Sequence, residues 1–262
     1  MLKRYMPHLT ATENDKGVLD LDTVKGCTGG MAAHPDGGCY GACYAAKIAA
    51  FRGLDFATAV PRYATSAGAL RVLQRQVLRS PALFVRIGTM GDPSHDWPGT
   101  LRVVRWVVRY KPVVIITKWW KVPDAATLQA LAATGAVVNT SVSALDTPAE
   151  LEHRLLWHAA YHDAGGRAVL RVVTCDFTDP AQRMLQHTLL WPQQGFPPPI
   201  DNPLRCPASH PLVQAGAIRV RKVRDLNSEV TMSLHDDSVY VGRCCDCPDL
   251  CGLPNVAQAA GK

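Results

Sequence analysis

Cys27, Cys39 and Cys43 lie in a glycine-rich stretch, with gaps of eleven and then three residues between them. Three thiolates with no fourth beside them describe a metal centre one ligand short. An open coordination position lets a metal bind a substrate or cofactor instead of only cross-linking a fold. A zinc knob with His34 as fourth ligand is the structural alternative for the same residues. A second group closes the chain: Cys244, Cys245, Cys247 and Cys251, with Cys206 upstream. It supplies enough thiolates for four-coordinate zinc or for an auxiliary iron–sulfur cluster.

These residues have to be positioned by the intervening chain, which alternates strand and helix patterns. Leu83–Ile87, Val113–Thr117, Ala136–Val142 and Ala168–Val173 are short apolar runs rich in β-branched residues, as strands buried on both faces require. Val18–Val24 is a weaker opening strand, directly before the first cysteine. Ala64–Arg79 and Leu101–Arg109 carry apolar residues at helical spacing. Thr147-Pro-Ala-Glu150 supplies an N-cap, a first-turn proline and a capping-box glutamate for a helix ending at Gly165-Gly166. Alternation of this kind implies a parallel sheet with right-handed crossovers. The first cysteine group then falls at the C-terminal edge of that sheet, where active sites of barrels and open sheets collect.

Several polar residues interrupt the expected strands or end them. Lys118 ends an apolar strand, where a buried ammonium needs an anionic partner, unless it snorkels to solvent. Asn139, Ser141 and Ser143 alternate and so share one face. Arg171 breaks an apolar strand and suits a carboxylate or phosphate. Thr89-Met-Gly91-Asp92 forms a turn at a strand end, and His95 follows it. Trp119-Trp120 offers either an aromatic platform or packing beneath a loop. After Phe177 the pattern loosens, and a Pro-rich passage from 196 to 203 marks a boundary. We therefore expect residues 1–200 to form the α/β domain and 201–262 a Cys-rich extension. That extension holds a basic strand with Arg219, Arg221, Lys222 and Arg224, which suits phosphates or a charged, protected edge. A hairpin is expected around Leu234–Ser238.

The cysteine triad after a first strand, followed by a strand ending in a small-residue turn, resembles the radical S-adenosylmethionine enzymes. "Cys-Tyr-Gly-Ala-Cys-Tyr-Ala" from Cys39 is similar to the run in the spore photoproduct lyase branch and a related phage-borne group. "Ile-Thr-Lys" ending at Lys118 is similar to that branch's third strand. "Ser-Val-Ser-Ala-Leu-Asp-Thr" from Ser141, then "Ala-Gly-Gly" and "Leu-Arg-Val-Val", is similar to its fourth and fifth strands. The likeness covers residues 18 to 176 and departs from the family in its cysteine spacing, which is ordinarily C-x3-C-x2-C.

The resemblance implies a partial (β/α)6 TIM-type barrel with a small Cys-rich C-terminal extension. It implies a [4Fe–4S] cluster on Cys27, Cys39 and Cys43, with S-adenosylmethionine chelated to the fourth iron. Reductive cleavage would give a 5′-deoxyadenosyl radical that abstracts hydrogen from a substrate. Thr89, Gly91, Asp92, Lys118, Asn139, Ser141, Ser143 and Arg171 would bind cofactor or substrate. Cys206, Cys244, Cys245, Cys247 and Cys251 would hold a second centre, either zinc or an iron–sulfur cluster. An external electron donor would feed the chemistry, and the substrate leans toward a nucleic acid base or modified nucleotide.

Composition bounds these readings. The chain has 262 residues, 47% hydrophobic, with nine cysteines and a formal net charge of +6. That length buries a full core. The odd, clustered cysteines, the absence of a signal-peptide core and the lack of any 18-residue apolar run suit a cytoplasmic protein with no membrane partner. The rival reading is a non-catalytic zinc-binding nucleic-acid module with both cysteine groups structural. A metal-dependent hydrolase would want His and carboxylate ligands at strand ends. This chain places Thr, Lys, Ser and Cys there.

Overall fold

The computed structural model of the chain describes residues 2–35, 37–224 and 229–253. Its centre is a parallel-rich mixed sheet with helices, an α/β architecture. Six parallel strands lie side by side in chain order: β1 (Leu19–Asp20), β2 (Val85–Ile87), β3 (Val113–Thr117), β4 (Val137–Val142), β5 (Arg167–Thr174) and β6 (Ile200–Arg205). The sheet then continues antiparallel from β6 to β8 (Glu229–Ser233), and from β8 to β7 (Arg221–Arg224) at the edge.

The opening strand is shorter than its apolar run. Leu19–Asp20 joins the sheet, whereas Val24–Lys25 leaves it to pair antiparallel with Val60–Pro61. The expected boundary at residue 200 falls at the first residue of β6, which pairs with β5. Pro203 is tolerated there because the strand's ladder partners change beside it, from β5 to β8 at Leu204. In the C-terminal segment β7 and β8 pair antiparallel, and residues 225–228 between them lie outside the described residues. Leu234–Ser238 follows the second strand instead of forming the turn.

Helices α3 (Ala67–Arg79), α4 (Trp97–Val107), α5 (Ala125–Ala132), α6 (Pro148–Asp163) and α7 (Pro180–Leu190) follow the crossovers. Two more precede them, α1 (Thr28–Ala33) and α2 (Tyr44–Phe51). Local chemistry sets their starts: Ser66, Asp96, Asp124, Thr147 and Asp179 each cap the following helix with a side-chain oxygen. The capping box at Thr147–Glu150 forms as its sequence requires, and the helix stops before Gly165.

Strand alternation divides the sheet into two faces. Val85, Ile87, Ile115 and Val138 pack outward into the main core, which also holds α4, α5 and part of α6. On the inner face, Val18, Phe84, Val114, Val137 and Val169 form a second cluster with Leu253, Cys244 and Cys251. Gly252 sits against Val137 and Arg167, the first residues of β4 and β5. The Cys-rich segment therefore covers the N-terminal ends of the strands. No helix among the described residues is long and apolar enough to cross a membrane.

Candidate metal and cofactor site

At the opposite end of the strands, the chain leaving β1 runs through Gly26, which bridges to Gly91 after β2. The approach is tight: a Cβ on Gly91 would lie 2.6 Å from the Gly26 carbonyl oxygen and 2.7 Å from that of Val24. Only glycine permits this crossing, which delivers Cys27 to the C-terminal edge of the sheet.

Cys27 caps α1, its sulfur accepting from the Gly30 N–H at 3.2 Å. Gly30 is the residue on which the site closes. A Cβ there would stand 3.1 Å from both the Cys27 and the Cys39 sulfurs, so those two atoms lie no further apart than about twice that distance. Cys43 precedes α2 and is close enough to both to influence their ionisation. Burial pushes all three thiols up, Cys39 to about 11 against the opposing pull of Lys118. Metal binding would therefore displace a proton from each. His95 Nε2 stands 3.8 Å from the Cys27 sulfur and 3.5 Å from the Gly29 amide nitrogen. Among the described residues, no three Cys, His, Asp or Glu side chains gather to hold one metal ion. A cluster spreads its thiolates over several irons and needs them wider apart than a single ion does.

Beside this group lies a buried charged network that sequence spacing did not reveal. Lys118 donates to the Tyr40 hydroxyl and lies 4.2 Å above that ring. Tyr40 in turn donates to Asp146 at 2.6 Å. Asp146 also accepts from the Ser143 N–H at 2.8 Å, pairs with Arg154 and lies 3.8 Å from the Lys118 ammonium. Burial works to raise the Asp146 carboxyl, but Lys118 and Arg154 outweigh it and hold the group below its ordinary value. Burial likewise depresses Lys118, partly offset by Asp146. Two non-glycine residues take the left-handed conformation here, Tyr40 (φ 59°) and Trp119 (φ 56°). Each directly follows a candidate ligand or binding residue, and backbone strain of this kind persists only where the surroundings over-determine it.

The expected binding residues divide into three sets. Thr89, Gly91 and Asp92 are occupied by the fold. Thr89 donates its hydroxyl to buried Asp22, and Asp92 accepts from Ser94 N–H, Thr117 hydroxyl and Lys118 N–H at 2.7 to 2.9 Å. Asp92 thus ties the β2 and β3 ends together. Ser143 is also structural, donating to the Val173 carbonyl. Lys118, Ser141, Asn139 and Arg171 belong to the inner face, and both polar atoms of the fully buried Asn139 side chain lack a partner.

Trp119 is fully buried in the outer core and donates to Thr140. Trp120 instead lies against Gly29 and 4.9 Å from the Arg154 guanidinium. The expected basic strand is split: Ile218–Arg219 pairs with Asp176–Phe177, where Arg219 meets Asp176, and Arg221 on the exposed edge strand β7 pairs with Asp237.

The second cysteine group is smaller than its spacing suggests. Burial, then the nearby Cys251 and Cys244, raises Cys247 to about 12, and burial raises Cys251 with Cys244 beside it. Cys245 turns away to lie against Gly17, where a Cβ would meet its sulfur at 2.8 Å. Cys206 is elsewhere altogether, buried with Cys175, Phe177 and Ile218 beneath Tyr40. It directly follows Arg205, the last residue of parallel β6, and so lies toward the C-terminal edge of the sheet, the far end from the trio. Comparison with protein-family models, with curated proteins and with solved structures finds no match to this chain.

Proposed function

We propose that this chain is a radical S-adenosylmethionine enzyme whose six sequential parallel strands form a partial (β/α)6 barrel. The observation that carries the reading is the placement of the Cys27 and Cys39 sulfurs against side-chain-free Gly30, with Cys43 near both, at the C-terminal edge of those strands. The space that a Cβ on Gly30 would fill is the cradle a cluster needs between two of its thiolates.

Cys27, Cys39 and Cys43 would hold a [4Fe–4S] cluster, leaving one iron for the amino and carboxylate groups of S-adenosylmethionine. When bound, that pair supplies one-electron cleavage of the cofactor to a 5′-deoxyadenosyl radical, with the electron drawn from an external donor. The chain's own residues bind and orient. Lys118, anchored by Tyr40 and Asp146, presents a fixed positive charge suited to the cofactor carboxylate. Ser141 adds a hydroxyl on the same face. Asp92 holds the loop bearing Lys118 at the right depth through the Lys118 N–H. The aromatic face of Trp120 and the buried surroundings of the thiols exclude water. Such an oxygen-sensitive centre suits a reducing cytoplasm.

Cys244, Cys247 and Cys251 would hold a second centre at the N-terminal end of the strands, as zinc or as an auxiliary cluster. We take the substrate to be a nucleotide or nucleic acid base, on the branch resembled and the net charge.

The test is anaerobic reconstitution with iron and sulfide, followed by dithionite and S-adenosylmethionine, with 5′-deoxyadenosine measured by mass spectrometry. Product from the parent and none from Cys43→Ala is the expected result. Stoichiometric zinc, no iron uptake and no product would replace this reading with the zinc module.

A further inference from the structure

Between the two cysteine groups, the inner face carries a band of polar side chains, of which Arg86 also donates to the Cys244 sulfur at 3.8 Å. The alternation that places Val18, Phe84, Val137 and Val169 on the apolar floor places Asp20, Arg86, Asn139 and Arg171 on the same face one step further along. Arg86 is neutralised there: Nε and Nη2 donate to the two oxygens of Asp20 at 2.9 and 3.2 Å. Arg171 is not. Its Nη2 donates to the neutral Asn202 side chain at 2.7 Å, and its charged or titratable neighbours are Cys251, Cys244, Arg86 and Tyr44. Among the described residues no carboxylate pairs with it.

On the adjacent strand stands Asn139, wholly buried with its amide oxygen and nitrogen both unpartnered. The register sets Ser141 opposite Arg171 and Asn139 opposite Val169, so Asn139 and Arg171 are diagonal neighbours on one face. Arg171 is a partly buried guanidinium with no carboxylate among its hydrogen-bond partners, and a fully buried amide with neither bond made is costly. Their coincidence in one band points to a missing polar, anionic occupant.

Tyr44 connects this band to the first cysteine group. It follows Cys43 directly and lies near Arg86, Asp20 and Asp22. Its side chain is half exposed. The far end is closed by Leu253, Cys244 and Cys251.

We propose that this band is the substrate pocket, and that Arg171 and Asn139 receive the oxyanion end, carboxylate or phosphate, of a small molecule. The inference rests on the enzyme reading above for the reaction, but the binding is measured without it. One guanidinium N–H group is taken by Asn202, and the rest of the fork remains for a two-point contact with an oxyanion. The closed floor admits a small molecule or a terminal group, charged end first, and leaves its other end beneath the Cys27, Cys39 and Cys43 group.

The test uses the full chain, anaerobically reconstituted, with inorganic phosphate and acetate as probes against sodium chloride of matched ionic strength. Calorimetry and thermal unfolding should show saturable binding of at least one oxyanion and a raised Tm. Arg171→Gln should weaken that binding by about tenfold or more, and without anion it should be no less stable than the parent. Asn139→Leu, which replaces the unpartnered amide with an apolar group of similar size, should keep its stability and lose much of the anion shift. A larger effect from phosphate assigns a phosphate ester, and a larger effect from acetate assigns a carboxylate.

Equal anion shifts in parent and Arg171→Gln would overturn the proposal. So would an Arg171→Gln variant of lowered Tm and lowered iron content, because the guanidinium would then serve the fold or the Cys251 centre. If the parent makes 5′-deoxyadenosine but binds neither anion, the pocket assignment fails and the enzyme reading stands. If anion binding depends on Arg171 and no 5′-deoxyadenosine forms, the reverse holds.

Discussion

Replacing Asp146 with Asn removes one charge from the network beside the cysteine triad and changes almost nothing in shape. Asp146 and Arg154 expose 1% and 2% of their side chains, so the loss leaves cations in a nearly dry site. Breaking a buried pair by removing one partner costs about 3–5 kcal/mol. Two features of the structure place this case near the lower end. Lys118, already depressed by burial, can release its proton. Arg154 cannot, but it keeps Glu150 at 3.2 Å. The expected loss is therefore about 3 kcal/mol, which is roughly a hundredfold in the folding equilibrium. For a chain of this size it corresponds to a Tm lowered by roughly 6–12 °C.

Urea unfolding, with an unchanged m-value and a lowered midpoint, is the assay. A double variant with Arg154→Met should recover most of the loss, because the stranded guanidinium is gone. The pH profile adds a second readout. The native carboxyl is held below its ordinary value of 3.8, so the unfolded state binds the proton first as the pH falls. The stability from this group is present above that value and is lost below it, through the native pKa. Asp146→Asn should remove that part of the acid sensitivity. A single-variant loss under about 1 kcal/mol, or a double variant no better than the single, would refute the claim that this network is buried and mutually paired.

Three further outcomes are expected. Gly30→Ala should leave the circular dichroism spectrum unchanged and sharply reduce iron bound per chain, since its Cβ occupies the space between two sulfurs; full iron loading would remove Gly30 from the site. Gly91→Ala should cost about 2 kcal/mol or more in urea unfolding, because its Cβ meets two backbone oxygens and the chain leading to Cys27 has to shift. His158 is buried and its pKa is lowered by burial, and then by His162, to about 4 from an ordinary 6.5. Between those values the unfolded chain takes a proton that the native ring refuses, so stability should fall as pH drops from 6.5 toward 4. The fall should total about 3 kcal/mol, and His158→Phe should flatten the profile by that amount. An unchanged profile would mean that His158 titrates freely.

Periodicity and capping are local, and the sequence carried them directly. The runs Val113–Thr117 and Val137–Val142 are strands because their β-branched residues suit burial on both faces. The helix after Thr147 begins where its capping box dictates. Glycine spacing and three cysteines marked the first site for the same reason, since short loops bring near neighbours together.

Pairings distant in sequence depended on tertiary structure. Tyr40, Lys118, Asp146 and Arg154 meet through four separate elements, and none of them carries a spacing that announces the others. Asp92 reads as a free carboxylate at a strand end, yet its oxygens are consumed by Ser94, Thr117 and Lys118. Cys206 and Cys245 look like ligands of the C-terminal group by composition. Strand direction sends Cys206 to the other end of the sheet, and a local turn sends Cys245 to its neighbour Gly17. Composition and period settle what each segment prefers, because those preferences act within a few residues. Which charges share a buried space is decided by how the sheet registers and where its edges are covered.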